Sequence, residues 1–214
     1  MGFLSASSTI VRFHAPPPAR INRQEMRDAV ERHVFRATED AGLPREERFG
    51  WVAIHDPMVV SLDETDLFFQ DQLLIGFRYD KRSVPAKLAW MERRIAERER
   101  REQDGVERLS LSIRREIRDD VTDRLMQKAL PVPRLFECAW NLKTGVLLFT
   151  TRTGTVQEAF TTTFRETFGI TPTPLIPWFV AERIGLPART VDSFRKQAPA
   201  EIAAGLSAGE EEVE

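Results

Sequence analysis

The residues of this 214-residue chain that could carry chemistry are few, and most of them stand apart. His14, His33 and His55 fall singly on separate elements, with no spacing that would hold zinc. Cys138 is the one cysteine; it has no internal partner for a disulfide and suits a reducing cytoplasm. Asp63, Glu64, Asp66 and Asp71 form an acidic cluster. A two-metal nuclease needs carboxylates converging on a cleft, but a solvated loop is the simpler account of these four. Glycine-rich phosphate cradles of the dinucleotide-binding or P-loop kind are absent. No catalytic residue, metal or cofactor is therefore expected.

Arginine is a different matter. Arg93, Arg94, Arg98, Arg100, Arg101 and Arg108, then Arg114, Arg115, Arg118 and Arg124, crowd one segment. Guanidinium forks suit phosphate oxygens and give affinity that ignores sequence and falls with salt. The same residues also alternate with acids, as in Arg93 with Glu97 and Glu97 with Arg101, the i, i+4 pairs of a solvated helix. Between Ala86 and Lys128 there are twelve basic against ten acidic residues, and elsewhere nineteen against twenty-three. With a net charge of −2, any basic surface must be local.

The element that positions these arginines runs from Pro85 to Leu130. Pro85 stands at the first helical position, where a missing N–H costs nothing, and Pro131 closes the far end. Leu88, Met91 and Ile95 follow helical spacing, while Glu97 to Asp104 has no apolar residue and should project into solvent. Asp104-Gly105 signals a turn, after which Leu109, Ile113, Ile117, Val121 and Leu125 recur every fourth residue. A helical hairpin is predicted, each arm reaching about 25 to 35 Å. The apolar row packs on the other arm or forms a contact with a partner. Trp90 lies at the root, among apolar neighbours.

On either side the periodicity reads as α+β. Thr9 to Phe13 alternates as a strand; Asn22 with Glu25 starts a helix carrying Met26, Val30, His33 or Val34, and Ala37, up to Gly42. Phe49 to Ile54 and Leu73 to Tyr79 are strands separated by an acidic loop, Asp56 to Gln70. Beyond the arms, Leu135 to Trp140 and Gly145 to Thr150 form a hairpin through Asn141 to Thr144. Thr155 with Glu158 reads as a capping box, Phe160, Phe164 and Phe168 line a helix ending at Gly169, and a strand follows near Leu175-Ile176. The expectation is two small lobes, β-α-β-β over 1–84 and β-β-α-β over 131–197, sharing or abutting their sheets and flanking the hairpin at 85–130. Trp178, Phe179, Val180 and Ile184 suggest one more helix, and 198–214 reads as an acidic, disordered tail. No stretch approaches the roughly 18 apolar residues of a membrane span, so a cytoplasmic protein is expected.

Phe49-Gly50-Trp51-Val52, then Leu74-Ile75-Gly76-Phe77-Arg78 through Lys81-Arg82 to Val84-Pro85, then the charged helical pair ending in Ala129-Leu130-Pro131, then Ala139-Trp140 and Thr144-Gly145-Val146-Leu147-Leu148, resemble the recombination-associated RdgC family. The likeness runs from about Ser8 to Pro177. It implies a ring-shaped homodimer, nucleoid-associated, that encircles double-stranded DNA with little sequence preference and restrains the recombinase RecA. Arg78 and Arg82 match basic residues of the family best. The family continues with a further α+β section that helps close its ring, which the stretch after Trp178 is too short to supply. A dimer-contact segment of the family is shortened here to Pro131 to Phe136, leaving Phe136 for that part. Family members are sometimes labelled exonucleases, a role no residue here supports. The expected DNA-binding set is Arg78, Lys81, Arg82, Arg93, Arg94, Arg114, Arg115 and Arg118. The root should be the more positive surface, because Arg78, Lys81 and Arg82 have only Asp80 among near sequence neighbours. The alternative is a protein-interaction or dimerisation module without DNA binding, its contact row Leu109, Ile113, Ile117, Val121 and Leu125.

Overall fold

A computed structural model describes residues 2–3, 8–36, 46–56, 58, 62 and 67–196. Asp63, Glu64, Asp66, the end of the helical stripe at Ala37 to Gly42, and the acidic tail lie outside the described residues. In chain order the elements are β1 (Val11–His14), α1 (Arg23–Arg32), β2 (Glu47–Val52), β3 (Phe68–Phe69), β4 (Gln72–Lys81), α2 (Ala86–Asp104) and α3 (Leu111–Lys128). They continue with β5 (Val132–Asn141), β6 (Val146–Phe149), α4 (Gly154–Phe168), β7 (Thr173–Pro174), α5 (Pro177–Arg183) and α6 (Ala188–Lys196). The class is α+β. The chain divides into a large unit, Met1–Thr173, and a smaller one, Pro174–Glu214.

The two expected strand sets form a single sheet of order β2-β4-β5-β6-β1-β7, with β3 pairing β4. What joins them is the long antiparallel ladder of β4 on β5, in register from Gln72↔Asn141 to Lys81↔Val132. Strand alternation puts Trp51, Phe77, Cys138, Trp140, Phe149 and Phe13 on one face, where α4 covers them. Phe160 of α4 is the centre of this layer. Its ring stacks on Phe149 at 3.8 Å and meets Phe77, Trp51 and Phe13 at 5.8, 5.9 and 6.0 Å. Two indole N–H groups are satisfied inside: Trp51 donates to the Thr167 hydroxyl at 2.8 Å, and Trp140 to the Ala15 carbonyl at 3.0 Å. Phe136 turns its ring onto the same core, 5.7 Å from Phe149.

Several local expectations shift. The α4 cap is Thr153, with no side-chain hydrogen bond, so Thr155 and Glu158 lie inside the helix instead of boxing its start. Pro85 is the cap of α2, one position outside the helix. Among the described residues the last strand is Thr173–Pro174, ahead of Leu175-Ile176, and two helices follow it instead of one. β3 emerges from what reads as a loop, because a two-residue strand has no period to detect.

The arms α2 and α3 pack on each other, and Arg124 of α3 reaches Glu92 of α2 at 2.8 Å. Of the row at every fourth residue, Leu109 and Val121 are buried and Ile113, Ile117 and Leu125 half-buried. Leu109 precedes α3, whose cap is Ser110, its hydroxyl accepting from Ile113 N–H. The α2 residues Leu88, Met91 and Ile95 are 42, 49 and 43 % exposed.

Candidate nucleic-acid interface

Strand β4 delivers Arg78 and Lys81 to the root of the hairpin, and Arg82 follows directly. Each is held by a partner. Arg78 donates from Nε and Nη2 to the two oxygens of Asp80 at 2.7 and 2.8 Å, and lies over the Phe35 ring at 4.2 Å. Asp80 is buried, and its carboxylate raises the Arg78 pKa. Phe35 comes this close because residue 50 is glycine: a Cβ there would lie 2.7 Å from the Phe35 backbone. Lys81 pairs with Glu47 at 2.8 Å and Glu46 at 3.7 Å, and its pKa is raised by the Glu47 hydrogen bond. Arg82 donates to the carbonyl of Ala129, the C-cap of α3, where a cation meets the negative end of the helix.

The reading of the root as charge left uncancelled therefore changes. Asp80 is the acid near in sequence, but the β2–β4 register sets Glu47 opposite Lys81. A partner 34 residues away is supplied by strand pairing, which local sequence does not reveal.

The arms hold the other arginines differently. Arg93, Glu97, Leu111, Arg114, Arg115 and Arg118 line one groove of about 260 Å³ between α2 and α3. A neighbouring hollow of about 340 Å³ is lined by Ala86, Ala89, Trp90, Arg93, Arg118 and Thr122. Helical spacing explains the convergence: Arg114 and Arg118 are one turn apart, Arg115 is beside them, and the antiparallel partner brings Arg93 across. Arg93 Nε is buried without a hydrogen-bond partner among the described residues, its Glu97 contact being a looser 3.7 Å. Arg114 and Arg115 have no acidic partner among the described residues. Arg118 pairs with its neighbour Asp119 at 2.8 Å. Arg94 sits 5.9 Å from the ring of Trp90, which faces solvent instead of the apolar root. Toward the tip Arg100 is taken by Asp104 at 2.8 Å, and Arg101 by the Glu97 carbonyl.

Three or four guanidinium groups around one concave, solvent-open surface can hold phosphate oxygens. Among the described residues no group of three or more His, Cys, Asp or Glu side chains could hold a metal ion. Asp71, the described member of the acidic cluster, pairs with Lys143 at 2.7 Å. Also among the described residues, no helix is long and apolar enough to cross a membrane.

No curated protein matches the chain. A family model described as "Putative exonuclease, RdgC" matches residues 8–183, which takes in the whole sheet, both arms and α4. The element order and the arm insertion described above fall inside that match, and the chain belongs to the RdgC family.

Proposed function

We propose that this chain serves recombination, the role its family suggests, as a non-catalytic protein that binds double-stranded DNA without reading its sequence. A homodimer is the assembly we favour, with a recombinase as a protein it restrains at the nucleoid. The observation that carries this reading is the inter-arm groove. It gathers Arg93, Arg114, Arg115 and Arg118, while Arg100 at the tip and Lys81 at the root are paired with carboxylates. Phosphate contact needs cations whose charge is not already matched by a carboxylate, and within the groove Arg114 and Arg115 meet that condition. Arg78, Lys81 and Arg82 support the root of the arms in this picture and add a weaker positive field.

The test is a mobility-shift titration on random duplex. The unmodified chain should bind at micromolar or tighter Kd at low salt. Arg114→Glu with Arg115→Glu should weaken binding more than Arg100→Glu with Arg101→Glu, and lower the slope of log K against log salt by about two contacts' worth. Duplex incubated with the protein and Mg²⁺ or Mn²⁺ should stay intact. No shift at high protein concentration, or shortened strands, would overturn the proposal.

A second reading has an observation of its own. Leu88, Met91 and Ile95 make an exposed apolar stripe on α2, which suits a protein contact, between two copies or with another chain.

A further inference from the structure

Trp90 is placed unlike the indoles of the core. Trp51 and Trp140 are fully buried and donate their N–H groups inside the sheet layer. Trp90 is 54 % exposed, and its N–H has no partner among the described residues. A ring of this size left in water keeps a large apolar area uncovered, which a second flat ring would remove. Helical spacing sets Ala86, Arg93 and Arg94 on the same side of α2 as Trp90. Arg94 approaches the ring to 5.9 Å from the next turn toward the tip, whereas Ala86, one turn toward the root, is too short to cover it.

The indole lines the hollow of about 340 Å³, at the lower end of the size of small-ligand pockets. Arg93 and Arg118 line both this hollow and the arginine groove of about 260 Å³, so the two spaces are neighbours. Arg93 Nε is buried there without a hydrogen-bond partner, a donor in need of an acceptor. Because the arms are antiparallel, the surface runs from root to tip as indole, then Arg93 with Arg118, then Arg114 with Arg115 one helical turn on, about 5.4 Å. An aromatic face beside cations at such intervals suits a nucleotide strand, ring against ring and phosphates on guanidinium groups. A base inside a duplex has both faces stacked and offers none to Trp90. An unpaired base does.

We infer that Trp90 is a base-stacking residue: the hollow takes one unpaired DNA base against the indole, and Arg93 and Arg118 hold the phosphates beside it. The inference rests on the reading of the inter-arm groove as a DNA surface and adds to it. Stacking accepts any base, so binding stays independent of sequence. What changes is that duplex interrupted by a short single-stranded gap gains a contact that continuous duplex lacks.

The full chain is titrated against labelled DNAs of one length: continuous duplex, the same duplex with a gap of a few unpaired thymidines, and that gapped duplex with abasic sites in place of the thymidines. The thymidine gap should be bound about 5- to 100-fold more tightly than continuous duplex, the scale of one stacked base. The abasic gap, which keeps the phosphates and the flexibility but loses the rings, should fall back to the continuous value. Trp90→Ala should bring the ratio of gapped to continuous affinity to about one with the cooperative melt retained, and Trp90→Phe should keep part of it. Arg114→Glu with Arg115→Glu should weaken binding to all three DNAs and leave the ratio standing. Equal affinity for gapped and continuous duplex, a preference kept by the abasic gap, or one that survives Trp90→Ala overturns the inference and leaves the groove as a duplex site. Absence of binding to any of the three overturns the reading of the groove itself, and this inference with it.

Discussion

At the residue scale, the candidate interface turns on which cations already have partners. Lys81 and Glu47 show the principle. The Lys81 hydrogen bond is the largest of the influences that hold the Glu47 carboxyl below its ordinary value. A carboxylate whose pKa is depressed by folding stabilises the fold above its unfolded pKa, near 4.3, and loses that contribution as pH falls through its folded value. Glu47→Gln should therefore melt below the unmodified protein at pH 7, with the difference closing as pH is lowered toward 3. Thermal melts across that range check it, and a gap that stays constant with pH would show that the pair's ionisation contributes nothing. The same pair marks the limit of the sequence. The doublets Arg93-Arg94 and Arg114-Arg115 are visible as runs of charge, whereas the neutralisation of Lys81 depends on a strand register that brings in a distant glutamate. Asp80 was visible beside Arg78. Phe35, which stacks on that guanidinium, was not, because it arrives through a parallel bridge of Val34 with Trp51.

At the element scale, the hairpin was the most legible part. Pro85, Gly105 and Pro131 punctuate it, and the arms form where those residues allow. Which side of each arm would be covered was less legible, because two helices choose one mutual face from several that spacing permits. On α2 the face carrying Leu88, Met91 and Ile95 is left to solvent, while Ala89, Glu92, Arg93, Ala96 and Glu97 are the half-covered ones. If that stripe joins two copies, Met91→Asp with Ile95→Asp should turn a dimer into a folded monomer with its melt preserved. Light scattering after size-exclusion chromatography decides it, and an unchanged mass would remove the stripe from any self-association. The α5–α6 pair was legible only as a single helix. Ala188 to Lys196 is short and mostly polar, with only Ala188, Val191 and Phe194 to mark its apolar face, and the chain turns through Gly185 with no long run of turn residues to announce it.

At the scale of the whole molecule, α+β class followed from strand and helix periods, and the merging of both strand sets into one sheet followed from nothing local. It depends on β4 pairing β5 across the intervening arms. The aromatic layer above that sheet sets the stability of the large unit. Phe160→Ala should cost about 3 to 5 kcal/mol, since it removes the ring that five core aromatics share. Denaturant unfolding measures the loss. Cys138, buried with its thiol pKa pushed up by desolvation, gives a second readout: its labelling should be slow in the unmodified protein and faster in the variant. The pairing of Lys81 with Val132 has one more consequence. The two strands that flank the arms are nearest neighbours, so in the logic of the sheet the whole arm pair occupies the place of a hairpin turn. Replacing a turn by some fifty residues raises the closure entropy only slowly, by about 3 kcal/mol on a logarithmic scale, and rigid arms lower even that. Arm length is thus almost free to drift without disturbing the body. The span between sheet and tip is a quantity that selection can tune independently of the fold.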